Sequence, residues 1–110
     1  MKPKFKRGDI VFVDFHPTKG HEQAGRRPTL IISNDDFTKY SGLYLACPIT
    51  STMRNFPLHV TLDDRTNTMG EIMCEQVRAI DLDARNPIKK EECPADILEE
   101  VIDIVYSFID

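Results

Sequence analysis

The chain has 110 residues, enough for one domain that buries roughly 65% of its unfolded surface and needs no covalent staple. Three cysteines, Cys47, Cys74 and Cys93, are odd in number and widely separated, with no C-x-x-C pair and no histidine at zinc spacing, so reduced thiols are expected and no metal or cofactor site. The net charge of −4 is unevenly spread: residues 1–30 hold seven Lys/Arg against three Asp/Glu, whereas residues 91–110 hold seven acids and no base.

Met1–Arg7 is basic but leads into no apolar stretch, and no run is long enough to span a bilayer, so a soluble cytoplasmic protein without membrane contact is expected. From Gly8 to Phe15, Ile10, Phe12 and Asp14 alternate with Val11, Val13 and Phe15, the pattern of a first strand. A polar loop runs through Arg27, and Thr29–Ser33 is a compact apolar run suited to a buried strand. Asn34-Asp35-Asp36 ends it and is placed to cap a helical turn. Ser41-Gly42 turns the chain into a third strand, Leu43–Cys47, which Pro48 is expected to end or displace, leaving Thr50 free of the ladder.

Met53–Pro57 reads as a loop and Leu58–Leu62 as a fourth strand, with His59 as a solvated strand residue. After the polar connection Asp63–Thr68, Glu71–Cys74 and Val77–Ile80 are strand-like pieces on either side of Glu75 and Gln76. At the end of the chain the period changes. Ile97, Val101, Ile104 and Phe108, with Leu98, Ile102, Val105 and Ile109, form the apolar face of an amphipathic helix. Pro94 suits its first turn and Asp96 its amino terminus. Short strands closed by one terminal helix imply a mainly β domain, a small curved sheet or SH3-like barrel spanning residues 1–110.

The stretch Gly20–Pro28, Gly-His-Glu-Gln-Ala-Gly-Arg-Arg-Pro, concentrates polar chemistry. Its glycines allow close backbone approach to a ligand, and Pro28 pushes Arg27 into an extended conformation at the mouth of the next strand. A guanidinium held there is suited to a phosphate. The local basic excess suits contact with a few phosphates, even in an acidic chain.

Gly8-Asp9-Ile10-Val11 and Asp14–Pro28, together with Pro48-Ile49-Thr50-Ser51 and Glu75-Gln76-Val77-Arg78-Ala79-Ile80-Asp81, resemble the three signatures of the MazF/PemK (Kid) toxins, in the same order and over nearly the whole chain. The resemblance implies a metal-independent endoribonuclease, an mRNA interferase of a toxin–antitoxin pair. Such an enzyme cleaves single-stranded mRNA through attack of the 2′-hydroxyl, leaving a 2′,3′-cyclic phosphate and a 5′-hydroxyl. It also implies a homodimer and inhibition by a cognate antitoxin. Carried over residue by residue, Arg27 would stabilise the phosphorane, Thr50 would bond a phosphate oxygen, and Glu75 would act as general base. The sequence pattern alone does not choose between the adjacent hydroxyls of Thr50 and Ser51; the family match chooses Thr50.

Lys19, His21, Glu22, Gln23 and Arg26 in the loop, and Ser51, Gln76 and Arg78 beyond it, are the expected RNA contacts. Two departures stand out. The Kid-like branch has an arginine two residues before the general base, where this chain has Met73, and His16 replaces an acidic residue before the Pro-Thr-Lys-Gly run. The alternative reading is a non-catalytic CcdB-like poison of DNA gyrase, which uses the same fold but has no need of the arginine loop.

Overall fold

The computed structural model describes residues 3–14 and 26–110. Seven strands, β1 (Asp9–Asp14), β2 (Arg26–Ile31), β3 (Tyr44–Thr50), β4 (His59–Thr61), β5 (Glu71–Met73), β6 (Arg78–Ile80) and β7 (Ile88–Glu92), form an antiparallel sheet in the order β4-β5-β3-β2-β1-β7, with β6 also paired to β3. Helix α1 (Asp35–Ser41) links β2 to β3, and α2 (Ala95–Ser107) ends the chain. This is the mainly β architecture with a terminal helix that the sequence implies.

Period-two alternation sorts the side chains into two cores. Ile10, Leu30, Cys47, Ile49, Val60 and Ile72 join Ile97 and Val101 of α2 on one face. On the other face, Val11, Val13, Ile31 and Ala46 pack with Phe5, Tyr44, Ile80 and Leu82. The helix is therefore a lid, as its apolar periodicity predicts, from Ile97 to Val105; it ends at Ser107, so Phe108 and Ile109, expected on the same face, lie beyond it and are exposed. Pro94 stands just before α2 with an extended ψ of 140°, one position ahead of the expected first turn. Asp96 is paired with Arg65 at 2.8 Å. Asn34 caps α1 by accepting from Phe37 N at 2.9 Å, and the helix runs on to Gly42, whose φ of 78° closes it.

Several boundaries differ from those expected. Strand β2 begins at Arg26, so both arginines lie inside it, opposite Asp14 and Val13 of β1. Pro28 is tolerated because β2 pairs with β3 only from Thr29 onward, leaving the proline on a stretch with one neighbour.

Pro48 does not end β3 either. It falls where the strand changes partners, from β6 at Tyr44–Ala46 to β5 at Ile49 and Thr50, and the missing N–H coincides with that gap. Thr50 is consequently in the ladder, opposite Glu71.

Strand β7, Ile-Lys-Lys-Glu-Glu, lacks apolar alternation because it is a mostly exposed edge, paired to β1 alone among the described residues. All three cysteines are free and buried, and burial pushes the Cys74 thiol up to about 12 and the Cys93 thiol up to about 11, well away from nucleophilic thiolates.

Candidate active site

The site lies on the polar face of β4-β5-β3. Val60, Ile72 and Ile49 are in register and point into the core. Because successive residues alternate, His59, Thr61, Glu71, Met73 and Thr50 share the opposite face. A 3-10 turn, Cys74–Gln76, follows β5 directly and carries Glu75 and Gln76 toward the same region. Thr50, Arg54, Phe56, His59, Met73, Glu75 and Gln76 line a cavity of about 460 Å³.

Three ionisable side chains are chained together here, two of them, His59 and Glu75, in the cavity lining and the third, Glu71, behind it. Glu71 is fully buried, and its Oε1 lies 2.8 Å from His59 Nδ1. The other ring nitrogen, Nε2, lies 3.1 Å from Glu75 Oε2. The His59 side chain is 3% exposed, so it is not the solvated strand residue expected; two carboxylates flank it and the edge of the Phe56 ring packs at 5.0 Å between centroids. Burial opposes protonation of His59, but the hydrogen bonds with Glu71 and Glu75 and their charges outweigh it and raise its pKa. The bond from His59, with those from the Asn55 and Arg54 amides, holds Glu71 below the usual carboxylate range despite its burial.

Thr50 keeps its hydroxyl at the cavity edge. Its Oγ1 accepts from Thr52 N at 3.1 Å, which leaves the hydroxyl hydrogen available for a ligand. The antiparallel β2–β3 register begins at Thr29 and Pro48, and Arg27, two residues before Thr29, and Thr50, two after Pro48, lie at the same end of the two strands beyond the paired stretch. Arg27 is exposed and makes no ion pair to a described residue.

Arg26 is engaged differently. Its guanidinium pairs with Asp14 at 3.3 Å and donates to the Asn86 carbonyl, while Asn86 Nδ2 donates to Asp14 at 3.0 Å. This ties the β1–β2 end to the turn before β7.

Of the expected site residues, Thr50, Glu75 and Gln76 line the cavity together. Ser51 is exposed beside it, and Arg78 projects from β6 outside the lining. Lys19, His21, Glu22 and Gln23 lie outside the described residues, as does His16. His59, Glu71, Arg54 and Phe56 are additions. The available signal was an acid, Glu71, at the head of an apolar strand, where a lone charge calls for a buried partner. Among the described residues no group of three or more His, Cys, Asp or Glu is placed to hold a metal ion, and no helix is long and apolar enough to cross a membrane.

A family model for PemK-like, MazF-like toxins of type II toxin–antitoxin systems matches residues 6–109. Endoribonuclease PemK of Escherichia coli is 37% identical over 105 residues, covering 92% of this chain and 79% of its own length. Endoribonuclease toxin MazF of Escherichia coli (strain K12) is 37% identical over 83 residues, 76% of this chain and 74% of its own. Among solved structures, a MazE–MazF crystal structure (Form-II) from Deinococcus radiodurans superposes with a TM-score of 0.86 at 36% identity, covering 94% of each chain. With the fold, the signatures and the family match all running through nearly the whole chain, it belongs to the PemK-like, MazF-like toxins of type II toxin–antitoxin systems.

Proposed function

We propose that this protein is the endoribonuclease toxin of a toxin–antitoxin pair, cleaving single-stranded mRNA without a metal ion. The observation that carries the reading is the cavity in which the Thr50 hydroxyl, the Glu75 carboxylate and the His59 imidazole converge, in a chain 37% identical to proteins named endoribonucleases. Those names do not favour the gyrase-poison alternative.

In the proposed reaction, Glu75 accepts the proton of a ribose 2′-hydroxyl, and the 2′-oxygen attacks the adjacent phosphorus in line with the 5′-oxygen. The P–O5′ bond breaks. A 2′,3′-cyclic phosphate remains on one fragment, the 5′-oxygen takes up a proton from water to leave as a hydroxyl, and Glu75 gives its proton back to water, so the proton count is unchanged. Arg27 stabilises the charge that develops on the non-bridging oxygens through its planar fork of donors, and Thr50 donates its hydroxyl hydrogen to one of them. Single strands fit this chemistry, since unpaired bases can be splayed against a wall such as the half-exposed Phe56 ring. The protein acts in the cytoplasm as a homodimer, and its inhibitor is a cognate antitoxin of the kind MazE is to MazF.

The test is incubation of purified protein with a mixed-sequence single-stranded RNA in excess EDTA. Cleavage that persists and yields cyclic-phosphate and 5′-hydroxyl ends supports the reading. A strict Mg²⁺ requirement, or inertness toward many RNAs, overturns it.

A further inference from the structure

Glu71 has no place in the reaction just described, yet it is the most completely enclosed charged group near the cavity. It is fully buried, and it accepts hydrogen bonds from the His59 ring at 2.8 Å, on Oε1, and from the Arg54 and Asn55 backbone amides at 3.1 and 3.0 Å, on Oε2. A carboxylate only accepts, so the His59 nitrogen that faces it must carry the hydrogen. The opposite ring nitrogen faces Glu75, a second acceptor. One imidazole between two carboxylates satisfies both only as a cation, and that cation stands in the wall of the cavity where Met73 leaves the strand without a charge of its own.

The second arm of Glu71 holds backbone. Asn55 has a φ of 53°, a left-handed conformation that asparagine tolerates, and the Glu71 bonds to the Arg54 and Asn55 amides fix the turn that sets Arg54 and Phe56 into the cavity wall. Resting on the ribonuclease reading above, we infer that Glu71 is a positioning residue for cleavage, clamping the His59 ring at Nδ1 so that it is held as a cation, protonated on both nitrogens, with Nε2 toward Glu75 and the RNA. It acts on substrate only through His59 and the 54–56 turn. Among the described residues, the groups that face the ring are Glu71 from β5, Glu75 from the 3-10 turn and the uncharged Phe56 ring from the loop, with Arg54 on the same cavity wall.

The experiment compares the wild type with Glu71→Gln, His59→Gln and the double variant. It reads the ring nitrogens of His59 by ¹⁵N NMR, together with single-turnover cleavage of the same mixed-sequence RNA. A glutamine oxygen can keep the backbone bonds, but its amide would meet His59 Nδ1 as a donor, leaving the ring neutral with its one hydrogen on Nε2, so the variant removes the cation and keeps the Nε2–H. Glu71→Gln is expected to remove the Nδ1 proton and slow the cleavage step by at least about 10-fold, with the half-saturating RNA concentration changed less than about 3-fold. In the His59→Gln background the same change should cost less than about 2-fold. Equal losses in both backgrounds, or an Nδ1 proton that survives Glu71→Gln, would overturn the assignment. If Glu71→Gln does not fold, the wild-type spectrum decides: protonation at both nitrogens near pH 7 supports the clamp, and a bare Nδ1 removes it. Wild-type inertness toward RNA would instead sink the ribonuclease reading, and with it the role in cleavage, while the spectrum still reports whether Glu71 sets the ring.

Discussion

Gly70 and Thr50 sit so close that a Cβ on Gly70 would overlap the Thr50 carbonyl oxygen and lie 2.9 Å from the carbonyl carbon. Gly70 also has a φ of 127°, a region open to glycine and strained for other residues, and its own carbonyl accepts from Leu62 N at 2.9 Å. The close approach lets β5 start directly against the end of β3, so that Glu71 and Thr50 fall in register. Gly70→Ala should therefore destabilise the fold by more than about 2 kcal/mol in urea titration and displace Thr50 in whatever fraction stays folded. A wild-type denaturation midpoint in this variant would contradict the packing.

The His59–Glu71 pair makes stability depend on pH in a defined direction. His59 holds its proton to higher pH in the folded protein than in the unfolded chain, so its contribution is fully present below about pH 6.5 and is lost as pH rises through the raised folded value. Glu71 is shifted the other way; its contribution is present above about pH 4.3 and is lost as pH falls through the depressed folded value. The denaturation midpoint should accordingly decline as pH rises above about 6.5. His59→Gln should flatten that alkaline limb, and a limb of equal slope in both proteins would assign it to another group.

Strand β1 and helix α2 were legible because their apolar residues repeat at the spacing of the element, two in the strand and three to four in the helix. Strand β7 was not, since its edge position asks for no buried face. Pro48 misled for a related reason: a proline usually stops a ladder, but here it occupies the one place where β3 has no partner on that side, which only the pairing of β5 and β6 reveals. In the site, Thr50 and Glu75 were reachable through local signatures. The His59–Glu71–Glu75 chain was not, because it depends on the β4–β5 register bringing together residues twelve and sixteen apart, and a slip of one residue would turn every side chain to the other face.

Arg27 tests the phosphate side of the site. It is exposed in β2, and its nearest register partner is Val13, so removing its charge breaks no ion pair among the described residues. Arg27→Ala should fold with a melting temperature near that of the wild type and lose on the order of 10²-fold or more in cleavage, the cost typical of one transition-state donor. Arg27→Lys should recover little, because a point charge does not reproduce the fork. Near-normal cleavage by folded Arg27→Ala would remove this residue from the site.

Thr50 separates catalysis from architecture. The structure gives its oxygen a local duty, accepting from Thr52 N at 3.1 Å in an exposed turn where water can replace it, so loss of that bond should cost no more than about 1 kcal/mol. The hydroxyl hydrogen is what a phosphate oxygen would take. Thr50→Val keeps the shape and loses that donor; it should slow single-turnover cleavage on the order of 10-fold or more while shifting the melting temperature little. Thr50→Ser restores the donor and should restore much of the rate. Ser51→Ala, next to it on an exposed position outside the cavity lining, should be milder. Cleavage and thermal unfolding measured on the same Thr50→Val preparation decide the matter, because a lowered melting point with normal turnover would leave Thr50 as a strand-end residue that only braces the turn to Thr52.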